Sequence, residues 1–223
     1  HLFIRGTSFE IDKEKIIANM NSLPALALAQ NNFVMIRADK ADKSRVVDIL
    51  AMSFDDNKSV NYIIKQDSKR MQRIRTLMEY SFELCYLFGD VFLSDDKNGC
   101  ALILMPDKKK TTFRSISLDA KLALSAIGLS NIKKAMTREA AINKIHPEGQ
   151  IYYLWFIGVD PVEQSKGIGS KLLDGIIQQG LSQSRTICLE TSTLKNIPWY
   201  ETFGFKTYRE MDFGYRLYCM KKD

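Results

Sequence analysis

The chain has 223 residues, 45% of them apolar and 26% charged, with a formal net charge of +6. That length buries a sizeable core without help from disulfides or a metal, and the composition is that of a folded globule and not of a disordered chain. No apolar run approaches the roughly 20 residues a membrane-spanning helix needs, so a cytoplasmic protein with no membrane partner is expected.

Cys85, Cys100, Cys188 and Cys219 lie far apart and form no C-x-x-C pair, which favours reduced core thiols over a disulfide framework or a zinc site. His1 and His146 are the only histidines. A metal site and a Ser-His-Asp triad are therefore not expected.

Residues 1–33 read as an N-terminal extension of unknown role. Met20–Gln30 has the apolar character of a secretory core segment, but it lacks a basic flank and follows Asp12 and Glu14, which argues against export. A short strand is expected over 34–38, then a helix with Val46, Ile49, Leu50 and Phe54 on one face. Asp42 or a neighbour would cap it. A second, longer helix is expected to carry Val60, Ile63, Ile64, Met71, Ile74, Met78 and Phe82 inward. Val91–Leu93 and Ala101–Met105, split by Asp95, Asp96, Asn98 and Gly99, read as a hairpin. Two helical pieces follow within 116–145, broken near Gly128. Ile151–Val159 has nine residues and no charge, as suits a central strand buried on both faces. A helix over Gly167–Leu181, a strand over Thr186–Thr191, a short helix over Asn196–Phe203 and an antiparallel pair (Phe205–Met211, Tyr215–Met220) complete the order β-α-α-β-β-(αα)-β-α-β-α-β-β. The fold class is α/β, with a mixed sheet.

The positive charge is uneven: Lys58–Arg75 holds six basic residues and one acid, and Asp107–Glu148 nine basic and four acidic. Solvated helix faces are the favoured reading, over nucleic-acid binding; a third is steering of a polyanionic ligand.

The chemistry concentrates at the end of the central strand. Pro161 stops the ladder, and Gly167 and Gly169 open the next helix. Glycine lets the turn adopt φ > 0 and lets a ligand approach the main chain. The uncovered N–H groups of the first helical turn then face outward where the helix dipole is positive, which suits a pyrophosphate, with Lys166 as a further point charge. Neither a Walker loop nor a dinucleotide-binding fingerprint is present.

Val159-Asp160-Pro161-Val162-Glu163-Gln164-Ser165-Lys166-Gly167-Ile168-Gly169 resembles the V-x-P-x-x-[QR]-x-x-G-x-[GA] motif of the GNAT superfamily of acetyl-coenzyme A-dependent N-acetyltransferases. Leu189–Ser192 followed by Asn196–Phe205 resembles its next strand and N-x-x-x-Y-x-x-x-G-F block. The branch of puromycin N-acetyltransferase-like proteins is the nearest in appearance. The resemblance implies a GNAT-like, mostly antiparallel sheet with helices on both faces, an N-acetyltransferase domain over 34–223 and a helical insertion over 106–149. It also implies acetyl-CoA as cosubstrate. The main chain of Ile157, Gly158 and Val159 would pair with the pantetheine arm as an added strand. Gln164, Ser165, Lys166, Gly167, Ile168, Gly169 and Ser170 would hold the pyrophosphate, and Asn196 would touch the arm.

By the same resemblance Tyr200 protonates the departing thiolate; a phenol, ordinarily near pKa 10, is suited to that. For the general base, Glu190 is the first candidate, ahead of Glu79, Glu83 and His146, for which a turn-capping role beside Pro147 is preferred. Trp155 and Phe156 are expected in the core, and Trp199 at a pocket wall. A covalent route through Cys188 or Cys219 has no histidine placed by sequence to activate it. The expected activity is direct transfer, in a ternary complex, to an unidentified primary amine of small-molecule size. The rivals are a non-catalytic acyl-CoA-binding module, a protein or peptide N-acetyltransferase and, remotely, a nucleic-acid-associated basic protein. Oligomerisation is left open.

Overall fold

A computed structural model describes residues 34–223; the N-terminal extension falls outside the described residues. Strand β1 (Met35–Arg37) leads through helices α1 (Lys43–Ser53), α2 (Lys58–Ile63) and α3 (Arg70–Phe88) to the hairpin β2 (Gly89–Ser94) and β3 (Gly99–Leu104). Helices α4 (Phe113–Leu122) and α5 (Ile132–Ile145) follow. Then come β4 (Ile151–Val159), α6 (Ile168–Ser182), β5 (Thr186–Thr191), α7 (Ile197–Thr202), β6 (Lys206–Asp212) and β7 (Arg216–Lys222). The strands form one sheet in the order β1-β2-β3-β4-β5-β7-β6, antiparallel throughout except for the β4–β5 pair.

The expected order holds, with one helix more. The long helix read over Val60–Phe82 is two. Asn57 caps α2 by accepting from the Val60 N–H, and Ile64 leaves the helix with ψ 150°. The chain re-enters at Arg70 after Asp67 has taken the Lys69 N–H and the Arg73 guanidinium. Apolar spacing carried through the break because Ile64 and Ile74 are both fully buried. Asp42 stands at the start of α1 without capping it; its carboxylate takes the Asp39 N–H at 3.0 Å and pairs with Lys97 at 2.8 Å.

Two cores sandwich the sheet. On one face Val46, Ile49 and Leu50 of α1 and Ile74, Met78 and Phe82 of α3 pack against Leu93, Leu102 and Phe156. On the other, Leu173, Ile176 and Ile177 of α6 meet Ile103, Leu154, Ile187 and Phe205. Helix α6 comes so near the sheet that a Cβ at Gly180 would lie 2.7 Å from the Ile187 side chain. That close approach explains the glycine at position 180 inside the helix.

Strand β4 spans the nine residues expected but is not regular. Leu102 faces Phe156 and Ile103 faces Leu154, so Trp155 is the extra residue of a β-bulge. Trp155 and Phe156 therefore share a face, and the alternation is inverted from there on. Ile157 joins the α6 side and Gly158 lies under α1, where a Cβ would sit 2.9 Å from Leu50.

Candidate active site

The parallel pairing of β4 with β5 covers only Ile151–Tyr153 against Thr186–Cys188. Beyond it β4 stays with β3 and β5 stays with β7, so the two central strands splay. Their closed end is pinned by Arg185, which donates to both Asp107 carboxylate oxygens at 2.7 and 2.9 Å and to the Ile151 carbonyl at 3.1 Å.

At the open end the Asp160 N–H donates to the Asn98 carbonyl at 2.8 Å. Asp160 is thus aimed at the hairpin side, and by strand alternation the N–H and C=O groups of Ile157 and Val159 face the gap. The Val159 carbonyl is already taken by the Ser53 hydroxyl at 2.8 Å and the Gln164 amide at 3.3 Å. Ile157 is left as the open edge. After β4, Ser165 (φ 65°) and Gly167 (φ 83°) adopt left-handed backbone before α6 begins. A Cβ on Gly167 would meet nothing within 4 Å, so the conformation, and not crowding by protein, calls for glycine there.

This turn walls a cavity of about 580 Å³ whose lining includes Gln164, Ser165, Gly167, Ile168, Gly169 and Ser170, with Lys195, Asn196 and Trp199 also in it. The Ser170 hydroxyl accepts from Trp199 Nε1 at 3.1 Å, which leaves its own proton for a phosphate oxygen. Lys166 is not the free point charge expected: it pairs with Glu163 at 2.8 Å and is absent from the cavity wall. Lys195 takes that place, a residue that sequence reasoning passed over because it belongs to no motif. An anion-binding helix start, an open strand edge and a cation on the cavity wall together fit a coenzyme A molecule.

A second cavity, of about 190 Å³, adjoins the first between the splayed strands and shares Ile157, Val159, Gly169, Asn196 and Trp199 with it. Tyr200 and Glu190 both line it. Tyr200 is 5% exposed, and burial pushes its phenol above the usual range. The Glu190 carboxylate accepts from the Tyr153 hydroxyl on one oxygen; its other oxygen lies 3.5 Å from His146 Nε2. His146 stands at the C-cap of α5 beside Pro147, and its ring packs 5.1 Å from Tyr153, with Nε2 lacking a hydrogen-bond partner among the described residues.

The expectation for Glu79 and Glu83 is corrected here. Glu79 pairs with Lys121 at 3.0 Å, and Glu83 with Lys43 and Arg114; both line a separate cleft of about 50 Å³. Trp155 and Phe156 pack in the core as expected and, an effect of the bulge, line the cavity of Tyr200 as well. Arg138 of α5, read only as part of a basic stretch, reaches the same cavity, donating to the Tyr215 hydroxyl at 2.9 Å and to Ser59. Cys188 and Cys219 are buried free thiols; burial pushes Cys188 well above its usual range and Cys219 up to about 12. Neither is poised as a nucleophile.

Residues 134–207, from α5 to the start of β6, match the family model of the acetyltransferase (GNAT) domain. That segment is similar to the domain of GNAT acetyltransferases. Solved structures extend the likeness of fold over nearly all of the described chain. One is a histone acetyltransferase HPA2 and related acetyltransferase from Corynebacterium glutamicum, at 22% identity and TM-score 0.63 over 85% of this chain and 95% of that one. Arylalkylamine N-acetyltransferase 2 from Aedes aegypti is similar at 16% identity and TM-score 0.59, over 86% and 99%. The C-terminal condensation domain of Ebony, solved with beta-alanyl-dopamine, is similar at 11% identity and TM-score 0.65, over 85% and 98%. The family that this segment resembles is one of acyltransferases with acetyl-CoA as cosubstrate. The matched segment contains the glycine turn, Glu190, Asn196 and Tyr200, while α1 to α4 precede it.

Proposed function

We propose that the protein transfers an acetyl group from acetyl-CoA to a primary amine by direct attack in a ternary complex. One observation carries this reading: the cavity walled by the glycine turn opens into the one that holds Glu190 and Tyr200. A thioester anchored by its pyrophosphate at Gln164–Ser170 is thereby led between β4 and β5 towards both side chains. The backbone of Ile157 and Val159 orients the arm, and Asn196 and Trp199 flank it.

Glu190, held by Tyr153, accepts a proton from the incoming ammonium. The new C–N bond forms as the C–S bond breaks, and Tyr200 gives its proton to the departing sulfur. Main-chain N–H groups facing the gap steady the charge that develops on the carbonyl oxygen.

The test is thiol release from acetyl-CoA against an amine panel, with the Tyr200→Phe variant alongside. Y200F is expected to lower kcat by about 10²-fold, the scale of a lost general acid, and to leave the affinity for coenzyme A within about 2-fold. Full turnover by Y200F would remove Tyr200 as the acid. Thermal stabilisation by acetyl-CoA without thiol release for any amine would replace the enzyme reading with a non-catalytic acyl-CoA-binding module.

A further inference from the structure

The cavity of Glu190 and Tyr200 shares a wall with a neighbour. Ile63, Leu77, Arg138, Glu139, Tyr153 and Trp155 also line a further chamber of about 380 Å³ that runs beneath the helical insertion. That volume is in the range of small-molecule sites. Its walls are mostly apolar, contributed by Leu77 and Leu84 of α3, Leu122 of α4, and Ile132, Ala135 and Met136 of α5. Rings mark the route between the two spaces: Tyr80 stands edge-on to Trp155 at 6.2 Å, Trp155 stacks with Tyr153 at 6.4 Å, and Tyr153 adjoins His146 beside Glu190.

Two charged side chains stand at the junction. The Arg138 guanidinium is bound to Tyr215 and Ser59. Glu139 stands beside it, its charge facing Tyr80 and Tyr153. Glu139 and Glu190 set two carboxylates against the one guanidinium of Arg138 along this route, a balance that favours a cation on its way to Glu190. Ala123–Ile127 form a turn of π-helix that ends at Gly128 (φ 74°), and Ala123 and Ile127 face the chamber. Such turns frequently occur at functional sites.

We infer that this chamber seats the body of the acceptor, and that the acceptor is a hydrophobic primary amine: an ammonium head drawn in by Glu139 and Glu190 on an aryl or long alkyl body held under the insertion. The inference rests on the acetyl-transfer reading and names its substrate class. A polar amine would leave its hydroxyl or amino groups unpaired against the leucine and isoleucine walls.

The experiment compares 4-phenylbutylamine and hexylamine with ethanolamine, spermidine and a tetrapeptide bearing a free N-terminus, by thiol release. The two hydrophobic amines are expected to exceed the others in kcat/KM by at least about 10-fold, the discrimination an apolar pocket supplies. In the chamber-filling variant Ala135→Trp, the ratio of 4-phenylbutylamine to ethanolamine should fall by about 10-fold. Retained thermal stabilisation by acetyl-CoA checks that the variant is folded. Equal or better turnover of ethanolamine, spermidine or the peptide would overturn the inference, and so would an unchanged ratio in a folded A135W. If no amine releases thiol, the transfer reading fails, and calorimetric titration with 4-phenylbutylamine decides the chamber separately. Binding that A135W abolishes would keep the chamber as an amine site; absence of binding to the wild type would remove it.

Discussion

The proton donor and the proton acceptor proposed for this site differ in how the protein holds them. Tyr200 is enclosed by apolar and aromatic neighbours, with Trp199 at 4.7 Å and Phe205 at 5.8 Å between ring centroids, and burial alone raises its pKa. A phenol raised above its ordinary value of about 10 stays protonated across the working range. The pH–rate profile is therefore expected to show no descending limb below about pH 10, since deprotonation of the acid would begin only above that value. A limb falling between pH 8 and 9 would mean that another group supplies the proton. Glu190 is held by hydrogen bonding, so Tyr153→Phe should release one carboxylate oxygen. We expect kcat to drop by about 10-fold, the cost of one hydrogen bond to a charged group, with coenzyme A affinity kept because Tyr153 lines no part of the pyrophosphate cavity. An equal loss in both would assign Tyr153 to the scaffold.

What was legible in the sequence follows from how local each feature is. The glycine turn was legible because strand, proline, glycines and helix are contiguous, and each constrains its own backbone. The bulge at Trp155 was not, since it exists only in the register of β4 against β3. His146 and Arg138 escaped for the same reason: the first meets Glu190 across 44 residues of chain, the second meets Ser59 across 79. Charge runs say nothing of such partners. The local feature gives the cleanest test at this scale. Gly167→Ala keeps the helix and opens no void, yet it forces an L-residue to φ 83° at a cost of about 1 kcal/mol. The turn relaxes by moving the N–H groups that face the cavity. A rise of about 10-fold in the Kd for coenzyme A is expected by calorimetry, a difference of about 1.4 kcal/mol, with a fall in Tm of only a few degrees. Unchanged affinity would place the pyrophosphate elsewhere.

Across the whole fold, the site depends on strands that separate at one end because they are fastened at the other. Only three residue pairs join β4 to β5, a short ladder for the centre of a sheet. Arg185 supplements it by tying the start of β5 to Ile151 and to Asp107, which follows β3. The Arg185 side chain is 5% exposed and that of Asp107 34%, so the pair lies between a buried ion pair and a surface one. Removing the carboxylate strands a buried guanidinium; discounted for the solvent that reaches Asp107, the cost is about 2 kcal/mol. The Arg185 hydrogen bonds, with the guanidinium's charge behind them, hold Asp107 below the usual carboxylate range. A carboxyl more acidic in the folded state binds its proton more readily when unfolded, so its stabilisation is complete above about pH 4 and is lost as pH falls through the folded value. Asp107→Asn lacks this contribution at every pH. Thermal melts should therefore show D107N below the wild type by several degrees at pH 7, with the gap closing as pH falls towards 3. A gap that stayed constant would mean that Asp107 acts through packing. If the pin sets the splay, D107N should also weaken coenzyme A binding at pH 7, because strands freed at the closed end no longer hold the Ile157 edge at one distance from β5.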